Sequence, residues 1–137
     1  MKTAVDSNII SSIWSGAPTA ARASERLAAA MNEGALLISP FVFAELLAYP
    51  GATATSVRGF CDDTGIAIDE KIHGQVWLEA GTRFARYANR RRRSFGAAPR
   101  RLLADFLIGA HAMVQADRLF TFDPKVYAQD FPELTLY

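Results

Sequence analysis

Between Arg100 and Ala116 the chain reads RRLLADFLIGAHAMVQA, and from Phe106 to Val114 His111 is the only polar residue. A helix this apolar must bury most of its surface. One acid, Asp105, sits just inside its start. Two readings suit a carboxylate there. It can cap the helix, accepting bonds from the first free backbone N–H groups at the positive end of the dipole. It can equally be a metal ligand at the edge of a sheet. Every helix needs its ends satisfied, so this stretch alone leaves both readings open.

The 137 residues suit one domain with a real core. A chain that is 50% hydrophobic and 21% charged has the composition of an ordinary globular protein. Cys61 is the single cysteine, which excludes an internal disulfide and fits a reducing cytoplasm, the expected location. The opening MKTAVDSNIISSIW is not expected to be a signal peptide, because Asp6 interrupts its apolar segment. No run approaches the ~18–20 apolar residues of a membrane span. Neither repeats nor low-complexity linkers argue for a second domain.

The net charge of +1 hides an asymmetry. Residues 80–104 hold eight arginines and no acid, which leaves fourteen acids against seven basic residues elsewhere. Arg90, Arg91, Arg92 and Arg93 end a long helical pattern, and Arg100 and Arg101 follow. Cations suit a helix C-terminus, and a charge run is often just a solvated face. Six arginines within twelve residues exceed what capping needs and point to phosphate, whose geometry the guanidinium fork matches.

Taken in order, Thr3-Ala4-Val5 predicts a short strand ended by Asp6, after which Ser7 and Asn8 open a helix of Ile9, Ile10, Ile13 and Trp14. The C-terminal end of the first strand of an α/β sheet is where such folds place ligand sites. Asp, Ser and Asn are also good N-caps, so a cap and a metal site are again both open. Pro18–Glu33 predicts a surface helix closed by Gly34, and Ala35–Ile38 a buried parallel strand. Ser39-Pro40 then cap and start the helix PFVFAELLAY, whose one charged residue is Glu45. An unpaired carboxylate is expensive among apolar neighbours. Glu45 should therefore face a cation or polar cleft, unless it lies on a solvated edge beside an arginine.

Thr53–Cys61 predicts a helix, Asp62–Gly65 a solvated turn and Ile66–Ile68 a strand. Glu70–Arg93 predicts a long helix with His73, Trp77, Ala80, Phe84 and Tyr87 along a core-facing stripe, His73 at its polar margin. His111 lies nearly opposite Asp105 on its helix and reads as a hydrogen-bonded core or interface histidine. Asp117 reads as a turn residue. Leu119–Phe122 predicts a strand, and Asp123 after it repeats the arrangement of Asp6. Glu133–Tyr137 can add an edge strand.

Strands alternating with helices imply an α/β layer structure with a mostly parallel sheet, whose strand C-termini share one edge. Asp6 and Asp123 fall on that edge, and Glu45 and Asp105 lie on helices that start from it or approach it. Four acids brought together repel one another unless a hard divalent cation such as Mg²⁺ or Mn²⁺ joins them. Carboxylate-held metals beside an arginine-rich surface suit phosphodiester chemistry, in which they activate water and stabilise the leaving oxygen.

The segments AVDSN, SPFVFAEL, ADFLIGAHA and TFD resemble, in order, the four acidic motifs of PIN-domain ribonucleases, above all the VapC-type toxins of prokaryotic toxin–antitoxin pairs. The likeness spans essentially the whole chain. It implies a three-layer α/β/α PIN-like domain, Mg²⁺- or Mn²⁺-dependent RNA cleavage, a homodimer and an antitoxin that blocks the cleft. By motif position it implies Asp6, Glu45, Asp105 and Asp123 as the catalytic, metal-binding acids, with Asn8 and Thr121 in support. The chain departs at Gly109, where many members have Ala, and at Phe122, where many have a polar residue, which leaves Asp123 the least secure ligand. A haloacid-dehalogenase-type phosphatase with Asp6 as nucleophile would want a second acid where this chain has Asn8. A catalytically inactive PIN-like RNA-binding module is at odds with four intact acids. A DNase or flap nuclease would need insertions that this chain lacks.

Overall fold

The computed structural model describes residues 1–95 and 101–137. The elements follow the expected alternation: β1 (Lys2–Val5), α1 (Ser7–Ser15), α2 (Ala20–Glu33), β2 (Ala35–Ile38), α3 (Pro40–Leu46), α4 (Ala54–Thr64), β3 (Ile66–Ile68), α5 (Gly74–Phe95), α6 (Leu103–Gln115), β4 (Arg118–Phe120) and α7 (Pro124–Ala128). The strands pair in parallel in the order β3-β2-β1-β4, with helices layered against them in an α/β/α arrangement. The expected edge strand at 133–137 reduces to one parallel bridge between Leu119 and Leu136.

The short strands are apolar on both faces because the helices cover both: Ala4, Val5, Leu36, Leu37, Ile38, Leu119 and Phe120 are all buried. Local signals set the helix ends. Ser39 Oγ accepts the Val42 N–H at 3.2 Å, and Pro40 opens α3. Thr53 and Ser56 form a reciprocal capping box on α4. That helix runs on to Thr64, so Asp62 and Asp63 lie in its exposed last turn. It stops at Gly65, whose φ of 69° a side chain would resist.

The apolar run behaves as its composition requires. Phe106, Ile108, Gly109, Ala110, His111 and Ala112 of α6 are all buried. His111 Nε2 lies 3.0 Å from Asp69 Oδ2, and burial pushes its imidazole pKa down, so it rests neutral in the core.

Two expectations need correction. The long helix starts at Gly74, not Glu70, because the preceding residues are engaged elsewhere. Asp69 also accepts from Gln115 Nε2 at 2.8 Å, and the His73 N–H donates to Gln115 Oε1 at 2.9 Å. The buried stripe of α5 is Val76, Ala80, Arg83 and Tyr87, while Trp77 is 54% exposed. Arg83 can take a core position because Glu79 and Glu133 neutralise it, at 3.1 and 2.9 Å.

Candidate active site

The site begins where β1 and β4 end together. Val5 lies opposite Phe120, and the Asp6 N–H donates to the Phe120 carbonyl at 2.9 Å, so Asp6 and Thr121 leave the sheet side by side. Asp6 is also the N-cap of α1, its Oδ1 accepting the Ser7 N–H at 2.7 Å. Cap and site therefore coincide at this residue. Its Oδ2 accepts from Thr121 Oγ1 at 2.8 Å, from the Tyr127 hydroxyl at 2.9 Å and more weakly from Asn8 Nδ2 at 3.3 Å.

Asn8 and Thr121 act as braces. Asn8 Nδ2 donates to Thr121 Oγ1 at 3.1 Å, and Asn8 Oδ1 accepts the Phe122 N–H at 3.2 Å. Thr121 Oγ1 accepts the Asp123 N–H at 3.0 Å. Together they pin the segment that carries Asp123 against the start of α1. The Asp123 carboxylate makes no capping bond to α7, and the residue is exposed.

Glu45 is half-buried on α3, and Ser7 Oγ donates to its Oε2 at 2.6 Å, which ties it to the Asp6 segment. Asp105 is the third residue of α6; Leu102 holds the cap position, and its backbone N–H donates to the Asp105 carboxylate, so Asp105 secures the helix start from the first turn and not as the N-cap itself. Arg101 Nε lies 3.8 Å from Asp105 Oδ2.

Electrostatics link all four acids. Burial raises the pKa of Asp6, and the charge of Asp105 adds to it against the opposing hydrogen bonds. Burial likewise raises Glu45, with Asp6 and Asp105 adding. Burial raises Asp105 too, Arg101 opposing and Asp123 adding. Among the described residues, Arg101 is the only cation within ion-pair distance of any of the four. Among the same residues no three acidic, histidine or cysteine side chains form a ready-made metal cage. The donor set is an open, oxygen-only cluster whose negative charge Arg101 answers only in part. That suits a hard ion such as Mg²⁺, which keeps several of its waters and binds through one or two carboxylates and substrate oxygens.

The arginines divide into two groups. Asp130, whose side chain is 3% exposed, pairs with Arg90 and with Arg101, the latter at 2.6 Å. The Asp130 carbonyl accepts from Arg83 Nη1 at 2.7 Å. Arg101 also lies over the Phe106 ring, 4.4 Å from its centroid. These guanidinium groups are thus committed within the fold. Arg86, Arg92 and Arg93 are exposed, Arg92 reaching only Asn89 on its own helix, at 2.9 Å. Arg91 is half-buried, and Arg100 lies outside the described residues.

Sequence reasoning missed Tyr127 and Asp130. Tyr127 stands one helical turn beyond Asp123, a spacing that puts both on one side of α7. Asp130 carried no signal of its own, since nothing local tells which acid answers an arginine block forty residues earlier.

The model of the PIN domain matches residues 3–132. The chain belongs to the PIN-domain family. PIN domains are nucleases that generally use divalent metal ions. The fold is similar to that of VapBC-1 from nontypeable Haemophilus influenzae, with a TM-score of 0.66 and 21% identity over 100% of this chain and 97% of that one. It is also similar to VapBC2 from Rickettsia felis bound to a promoter DNA fragment, with a TM-score of 0.67 and 18% identity over 100% and 98% of the two chains. No curated protein sequence matches this PIN domain at a significant level. Among the described residues no helix is long and apolar enough to cross a membrane.

Proposed function

We propose that this PIN domain is a metal-dependent endoribonuclease and the toxin of a type II toxin–antitoxin pair. One observation carries the reading. The charge of Asp105 bears on Asp6 and Glu45, and that of Asp123 on Asp105, while the one cation near them among the described residues, Arg101, is already engaged by Asp130. Mg²⁺ or Mn²⁺ held by these carboxylates would activate water and stabilise the leaving oxygen of a phosphodiester. The chain's own contribution is placement. Thr121, Asn8 and the Ser7 backbone fix Asp6, Ser7 Oγ fixes Glu45, and the buried face of α6 fixes Asp105. Arg92, Arg93 and Arg86 supply exposed positive charge for the RNA backbone.

The toxin assignment, the antitoxin partner, a homodimer and a cytoplasmic setting rest on the likeness to the VapBC structures and to the VapC-type motifs. A phosphatase acting through Asp6 is disfavoured, because Asn8, where the partner acid would stand, is an amide that braces Thr121 and Phe122.

The test is cleavage of single-stranded RNA by the purified protein, with Mg²⁺ or Mn²⁺ and with chelator, beside an Asp105→Asn control. Sequencing RNA ends after induced expression would then identify the substrate. A wild-type rate in the Asp105→Asn protein would sink the nuclease reading, and RNA binding without cleavage would favour the inactive module.

A further inference from the structure

The three donors on Asp6 Oδ2 come from three separate parts of the chain, and one of them, the Tyr127 hydroxyl, belongs to none of the four acidic motifs. Tyr127 is 1% exposed, and its ring packs against Phe131 with centroids 6.4 Å apart. The phenol is the only polar atom of the side chain, and a buried Tyr hydroxyl needs a partner. It finds one in Asp6 Oδ2 at 2.9 Å.

A carboxylate offers about four lone-pair directions. Thr121, Tyr127 and Asn8 crowd one oxygen, which leaves it no room for a cation. The other oxygen, Oδ1, carries the Ser7 N–H at 2.7 Å. Ser7 Oγ is 3.4 Å from Oδ1 but spends its proton on Glu45 Oε2, at 2.6 Å. Asp6 therefore keeps one open direction, on Oδ1, beside the carboxylate of Glu45.

We propose that Tyr127 is a positioning residue that locks the Asp6 carboxylate so that only Oδ1 is presented to a divalent cation; this rests on the metal-nuclease reading above. Donors to the far oxygen of a metal-binding carboxylate orient it and tune its basicity. A phenol is un-ionised at neutral pH and so is available as a donor. The placement also couples two acids. Asp123 sits at the start of α7 and Tyr127 in the same short helix, so α7 connects the fourth acid to the first.

The test is Tyr127→Phe, which removes one oxygen and keeps the ring. Metal-stripped wild type and variant are titrated with Mn²⁺ alone by calorimetry, and both are melted in chelator. The expected result is a roughly 10–100-fold weaker Mn²⁺ affinity, as for other outer partners of metal ligands, with little change of the chelator melt. In RNA cleavage the half-saturating metal concentration should rise while KM for RNA holds. Equal Mn²⁺ affinity in the two proteins would overturn the proposal while leaving the nuclease reading intact. A collapsed chelator melt would overturn it in another way, by showing the hydroxyl to be structural. A wild type that binds no Mn²⁺ would bring down both this proposal and the metal-nuclease reading.

Discussion

The Phe131 ring lies directly on Gly109: a Cβ placed at 109 would stand 2.7 Å from Phe131 Cε2. The ring has little freedom to retreat. It packs against Phe106 and Tyr127, with centroids 6.0 and 6.4 Å away, and Arg83 covers it at 4.9 Å. In a helix interior Ala is better than Gly by up to about 1 kcal/mol, but overpacking a fixed core costs roughly 1–3 kcal/mol. The second effect should win, so Gly109→Ala should destabilise by about 1 kcal/mol by that balance. Denaturant unfolding measures it, and a higher midpoint for the variant would show that the ring yields. The absent side chain at Gly109 is the space that Phe131 needs.

Asp130 should prove a structural acid. Its buried carboxylate answers Arg90 and Arg101 at once and so ties the C-terminal part of α5 to the start of α6. Removing one partner of a buried ion pair leaves charge unanswered and costs about 3–5 kcal/mol. Because the Arg90 side chain is 43% exposed, Asp130→Ala should fall near about 3 kcal/mol, the lower end of that range. A chemical-denaturation midpoint unchanged from wild type would mean that water already screens the network.

The two groups of arginines should separate in RNA binding. Arg92→Gln with Arg93→Gln should weaken binding of all single-stranded sequences alike. It should also flatten the log–log salt dependence by roughly 0.7 for each phosphate left without its arginine. Stability should hold, since neither guanidinium is buried. Arg101→Gln should do the reverse, lowering stability first. If the salt slope of the Arg92, Arg93 double variant matches wild type, those arginines serve a protein surface instead.

The legible parts of this molecule are those in which one residue type has one physical job. Apolar runs such as Ala35–Ile38 have to be buried, and acids at strand ends such as Asp6 have to meet at the sheet edge. Partner choice was not legible. Arg90 and Arg93 read alike in the sequence, yet one is tied to Asp130 and the other is exposed. Along α5 the expected stripe holds at Ala80 and Tyr87 but not at Trp77, where the smaller Val76 beside it is buried instead, and burial also includes Arg83. Tyr127 was hidden because its role depends on a hydrogen bond across 121 residues to Asp6, which no local pattern encodes.

The last expectation ties stability to pH. Asp6, Glu45 and Asp105 have folded-state pKa values above their ordinary 3.8, 4.5 and 3.8. The folded state therefore binds protons more tightly than the unfolded one, and the stability contributed by these acids is lost as pH rises from about 4 through the folded values. Burial is the main cause at Asp105; Arg101 opposes it, the charge of Asp123 adds to it, and the net direction is upward. Asn is nearly isosteric, removes the charge and keeps an oxygen that can accept the Leu102 N–H, so the helix start is preserved. In chelator at neutral pH, Asp105→Asn should be more stable than wild type by about 1 kcal/mol, typical of relieving a strained active site. The advantage should shrink on acidification and vanish below about pH 4, where wild-type Asp105 is itself protonated in both states. Millimolar Mg²⁺ or Mn²⁺ should reverse the order by stabilising wild type through mass action. Paired thermal melts across that pH range, with chelator and then with metal, provide the measurement. A variant that melts below wild type at every pH in chelator, with neither protein responding to metal, would make Asp105 a residue of the helix start and nothing more.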